Sequence, residues 1–281
     1  MRVMPLLTIV LSAVCAPLQA AVITVNTPHD QFGETPSECS LREAVQAANT
    51  DTAFGGCIAG FQNDVIRLPV RPGGNVNYRL TRTGGDEDDN ETGDLDIRSQ
   101  IAIQGLAGTS LSGPGDLTPD MVEVECRVDR CFQVFSGGSL QLRDLTLSGG
   151  DVTGLVGKDG GLILRQFAGI LDLDDVVLRE GRARWGGAVY EIGSGTTAMD
   201  NVAILDNRAD IGGGWYHNGN STAAITNVTF SGNIAADSGG AMRVNAPANL
   251  RHLTVTGNGS LSNGGSGGFE YSGPGNTGIN I

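Results

Sequence analysis

The sequence predicts an all-β chain wound as a right-handed, single-stranded parallel β-helix (a solenoid) with a short capping helix near its N-terminal end. Three observations carry that expectation. First, from residue 139 the chain repeats itself about every 25 residues: "LQLRDLTLSGG" (140–150), "LDLDDVVLREG" (171–181), "TAMDNVAILDN" (197–207), "AAITNVTFSGN" (223–233) and "ANLRHLTVTGN" (248–258). A period of this length marks a stacked solenoid. Second, each unit alternates apolar and polar residues, the pattern of a strand with one buried face, and carries an anchor at Asp144, Asp175, Asn201, Asn227 or His252. Third, each unit closes on Gly or Asn and then reaches a glycine pair, at 160–161, 186–187, 212–213, 239–240 and 264–265. Helical repeats would need two patterned helices per unit and far less glycine.

Taken in order, residues 1–20 have the layout of a secretory signal peptide: Arg2, an apolar run from Leu6 to Val14, and "PLQA" before Ala21. The run is too short to span a bilayer, and no later stretch is long and apolar enough to do so. Residues 21–62 form an N-terminal cap. Within it "CSLREAVQAANT" (39–50) encodes an amphipathic helix, with Ser40 and Glu43 as a capping box and Leu41, Ala44, Val45 and Ala48 on one face. A solenoid end exposes apolar interior and unpaired strand edges, so this helix is expected to be its lid. Residues 63–281 supply the coils, with "IAIQGLAG" (101–108) as an early, less regular copy. The Gly-rich close at Ile281 carries no cap, so further coils or another element are expected to cover that end.

The closing residues Asn207, Asn233 and Asn258 fall at one place in three coils. They are expected to stack as an amide ladder and to supply the left-handed backbone of a sharp turn. Glycine pairs at the other corner permit positive φ. Without the first twenty residues, four cysteines remain. Their even number suits an oxidising compartment and two disulfides. Of three pairings, Cys39–Cys57 and Cys126–Cys131 are favoured because each closes a loop within one segment. The formal charge of −13, with Lys158 the only lysine, leaves no basic stripe for nucleic acid.

"CSLREA" resembles the CSLREA-box of bacterial secreted right-handed β-helix proteins, which are also similar to polymorphic outer-membrane-protein repeats. "TVN" (24–26), "GDLDI" (93–97), "DRCFQVF" (129–135) and "NVTFSGNIAADSGGAM" (227–242) extend the resemblance over nearly the whole chain beyond residue 20. It implies a fold and an extracellular or cell-surface address. It implies no defined activity and carries over no catalytic residues.

Chemistry has three candidate places. "GGDEDDNETGDLD" (84–96) supplies Asp86, Glu87, Asp88, Asp89, Glu91, Asp94 and Asp96 as hard oxygens for calcium, although the spacing is not that of an EF-hand loop. Asp172 and Asp174 should point outward from one strand as a carboxylate pair, the minimum a glycosidase requires. Trp185, Tyr190, Trp215 and Tyr216, with Arg179, Arg182, Arg184 and His217, could stack in a row near the glycine corners and receive a sugar face. His29 and His217 have no Ser or Cys partner at motif spacing. The sequence therefore points to a secreted or cell-surface scaffold that is non-catalytic and serves adhesion or binds polysaccharide or cell-surface glycan, with a polysaccharide lyase or glycosidase as the alternative.

Overall fold

The computed structural model describes residues 20–70, 77–84, 89–106, 122–155, 157, 159–271 and 279–280; the segment read as a signal peptide lies outside them except for its last residue. The described residues form a parallel β-solenoid of about five turns, nearly all-β in class with 51% in strands, and one helix near the N-terminus. Among the described residues the largest sheet has twelve strands. The main path runs through Val22–Thr24, Asn63–Pro69, Gln100–Leu106, Ser139–Ser148, Ile170–Arg179, Thr196–Asp200, Thr222–Ser231, Ala248–Thr256 and Ile279–Asn280. A second sheet stacks Leu95–Ile97, Phe132–Val134, Ile163–Phe167, Val189–Gly193, Trp215–His217, Met242–Val244 and Phe269–Tyr271. A third joins Arg208–Ile211, Ile234–Ser238 and Gly259–Ser260. Among the described residues no helix is long and apolar enough to cross a membrane.

Register is fixed by the apolar alternation, because a slip of one residue would turn every side chain to the opposite face. Leu142, Leu173, Met199, Ile225 and Leu250 are paired coil by coil, and none is more than 2% exposed. Ile66 and Ile103 extend the column toward the N-terminal end. Burying such a row removes apolar surface at about 25 cal/mol per Å² and holds neighbouring coils in line.

The anchors Asp144, Asp175, Asn201, Asn227 and His252 all have φ between 51° and 55°. They bend the long strands, and Asp and Asn tolerate this region better than most residues. The expected amide ladder forms. Asn207 Nδ2 donates to Asn233 Oδ1 at 3.0 Å, and Asn233 Nδ2 to Asn258 Oδ1 at 2.9 Å. The positive φ, however, falls one residue earlier, at Asp206, Gly232 and Gly257. The turn thus separates two tasks: one residue makes the bend, and the next turns its amide inward to bind the coil beside it.

At the opposite corner, Gly160, Gly186, Gly212 and Gly239 have φ near +65°. The second glycine of each pair is required for a different reason. A Cβ on Gly187 would stand 2.1 Å from the Gly213 carbonyl oxygen, closer than any side chain can come.

The helix Leu41–Thr50 forms with its capping box complete: Ser40 Oγ accepts from the Glu43 N–H, and Glu43 Oε2 accepts from the Ser40 N–H. Leu41, Ala44, Val45, Ala47 and Ala48 join the core made by the coils. Disulfides join Cys39 to Cys57 and Cys126 to Cys131.

Candidate functional site

The acidic segment is organised by a cation that belongs to the chain. Arg42, on the capping helix, is fully buried and pairs with Asp30 at 2.6 Å. Its guanidinium also donates to the carbonyl oxygens of Asn90, Thr92, Gly93 and Asp94 at 2.8–3.2 Å. The planar five-donor fork of arginine suits such a ring of acceptors. Asp86, Glu87 and Asp88 lie outside the described residues. Asp89 is exposed, whereas Asp94 and Asp96 are buried. Among the described residues no three His, Cys, Asp or Glu side chains gather as a metal site would need. Of the set read from the sequence, Asp94 is directed to Arg130, with Nη1 at 3.1 Å. Burial raises the Asp94 carboxyl to about 7, against the pull of Arg130 and with the help of Asp129.

The aromatic row also differs from expectation. Trp215 and Tyr216 are sequence neighbours on a strand and so face opposite sides of the sheet. Trp215 is in the core at 0% exposure, while Tyr216 lies on the outer face with Tyr190 and Trp185. The outer three rings meet at 5.3–6.2 Å with interplanar angles of 46–82°, and Arg184 covers Trp185 at 4.0 Å. Tyr190 and Tyr216 are only 2% and 8% exposed. Rings so tilted and covered plug a corner of the solenoid; they offer no flat platform to a sugar.

Inside the core lies a cluster that no sequence motif marks. Arg165, Glu191 and His217 occupy one inward column on three successive coils and are all fully buried. Glu191 accepts from Trp215 Nε1 at 2.7 Å, His217 Nδ1 at 2.8 Å and Arg165 Nη2 at 3.1 Å. Burial pushes the Glu191 carboxyl up, but His217, Arg165 and Trp215 outweigh it and hold it down at about 2. Ser221 Oγ lies 3.5 Å from His217, which gives a serine–histidine–glutamate grouping by composition. It is not a catalytic triad. Serine and glutamate both address Nδ1, so the ring cannot pass a proton from one to the other, and no substrate reaches this place. The signal was present in the second sheet, where Arg165, Glu191 and His217 stand in a column otherwise filled by Ile97, Val134, Val244 and Tyr271.

The outer face of the long sheet carries a groove of about 400 Å³ across three coils. Its outward lining comes from two columns: Ile170, Thr196 and Thr222, and Asp172, Ala198 and Ala224. The small side chains on two coils make the depression, and Ile170 and Asp172 on the preceding coil wall it. Asp172 accepts from Gln141 Nε2 at 2.6 Å, and Asp174 pairs with Arg143. Both candidate carboxylates thus face outward, each engaged by the coil before it, and only Asp172 lines the groove. No protein-family model and no curated protein matches the chain.

Proposed function

We propose that the protein is a secreted or cell-surface scaffold, non-catalytic, that holds a linear glycan against the outer face of its long sheet. The observation that carries this reading is the groove over Ile170, Thr196, Ala198, Thr222 and Ala224. Its floor repeats with the coil spacing of about 4.8 Å, a length comparable to one sugar repeat. A volume of this size falls in the ordinary range for binding clefts. Hydroxyls of Thr196 and Thr222 alternate with methyl groups there, which matches the mixed polar and C–H surface of a pyranose. The CSLREA-type opening, together with two formed disulfides, supports the extracellular address.

The test is binding of the full chain to immobilised polysaccharides, with Ala198→Trp, which fills the groove from an exposed position and leaves the core untouched. Retention by the wild type and its loss in the variant, at unchanged melting temperature, are the expected outcome; equal retention of both proteins would remove the groove from consideration. A second reading, a lyase or glycosidase, rests on Asp172 at the groove wall. It requires release of reducing or unsaturated sugars that Asp172→Asn abolishes.

A further inference from the structure

Resting on that reading, we infer that the groove selects neutral, hydroxyl-rich linear glycans over uronate polymers, and that Asp172 is the specificity-determining residue. The argument is one of charge. The outward columns that border the groove run Ser139, Ile170, Thr196, Thr222 and Gln141, Asp172, Ala198, Ala224, Asn249. Asp172 is their single ionisable side chain. The adjoining column brings two cations: Arg143, which pairs with Asp174, and the exposed Arg251, which donates to the neutral Asn249 Oδ1 at 3.2 Å on the third coil beyond Asp172. Asp200, in the same column, adds another exposed carboxylate, bonded to Asn227. A uronate carboxylate entering the groove beside Asp172 would therefore meet like charge, and the cation nearest in register, Arg143, is already paired with Asp174.

Chemistry adds to the charge argument. An ionised carboxylate only accepts hydrogen bonds, so Asp172 asks its ligand for donors, which neighbouring sugar hydroxyls provide and a uronate carboxylate does not. The amide of Gln141 fixes one side of Asp172, so little side-chain freedom remains to be lost on binding. Such a charge-assisted bond to a hydroxyl is stronger than one between neutral groups. Ala198 and Ala224 form an apolar floor that suits the C–H face of a neutral ring.

The experiment is affinity electrophoresis of the full-length chain through gels containing β-glucan, mannan or polygalacturonate, with Asp172→Asn and Asp172→Arg beside the wild type. Asparagine keeps an acceptor for Gln141 while removing the charge, and thermal melting confirms that each variant is folded. The wild type should be retarded by at least one neutral polymer and not by polygalacturonate. Asp172→Asn should weaken neutral binding by about tenfold, ~1.4 kcal/mol, and Asp172→Arg should shift retardation toward polygalacturonate. Equal retardation by neutral and uronate polymers, or neutral binding unaltered in Asp172→Asn, would overturn the selectivity while leaving the glycan reading intact. Absence of retardation by all three polymers would instead remove the glycan reading itself.

Discussion

Single side chains in this protein take opposite electrostatic fates according to their partners. Asp94 and Glu191 are both buried carboxyls, yet one is pushed up to about 7 and the other held down at about 2. Asp94 faces one arginine and a neighbouring aspartate, so burial prevails; Glu191 collects an indole, an imidazole and a guanidinium, and they prevail over burial. The consequences for stability have opposite signs. Between the ordinary aspartate range and about 7, folded Asp94 holds a proton that the unfolded chain has lost, so its contribution falls as pH rises through that window. Glu191 contributes above the ordinary glutamate range, and that contribution is lost only as pH falls toward about 2. Asp94→Asn, which mimics the protonated acid, should raise the melting temperature relative to wild type more at pH 8 than at pH 5. A difference independent of pH would show that Asp94 ionises freely in the folded state.

Among the elements, the capping helix does more than close the solenoid. Through Arg42 it gathers Asp30 and four carbonyls of residues 90–94 into one buried arrangement. Arg42→Met keeps the apolar stem but leaves Asp30 without its buried cation, which should cost about 3–5 kcal/mol. Hydrogen exchange should then quicken in residues 90–94 ahead of the coils beyond Ser139. Uniform loss of protection along the chain would contradict a local clasp. The helix itself was legible from Ser40, Glu43 and the apolar spacing, because capping is local chemistry. The role of Arg42 was not, since four of its acceptors are backbone atoms about 50 residues away and carbonyls leave no mark in a sequence. The same limit explains the misplaced left-handed turns. Asn and Asp recur in two columns, and composition alone does not say which column bends the chain and which carries the ladder. Composition groups Trp185, Tyr190, Trp215 and Tyr216 together, although the period of two places Trp215 and Tyr216 on opposite faces.

For the whole molecule, coils touch only their neighbours, so stability is roughly a sum of coil terms and interface terms. The columns of apolar residues supply these interfaces evenly, and the repeat made that part of the fold readable in advance. The Arg165–Glu191–His217 network concentrates one interface in charge. Each of its links joins residues 26 apart, and together they tie three coils near the middle of the stack. Glu191→Gln would leave a buried guanidinium without its counter-ion, at about 3–5 kcal/mol. Urea unfolding should shift to a lower midpoint and become less cooperative as the two ends of the stack separate. A variant within about 1 kcal/mol of wild type, well below the usual loss for a broken buried pair, would make the network energetically neutral.

The constant offset has a further meaning. Ile170 lies beneath Thr196, and Thr196 beneath Thr222, in unbroken register, and Asn207 reaches Asn233 at the same 26-residue interval. A duplicated segment of that length, spliced between these rungs, would find at both seams the neighbours the chain already provides. The protein is in this sense a ruler whose graduations can be added one at a time, and the trench on its outer face would lengthen with it while its lining stayed the same.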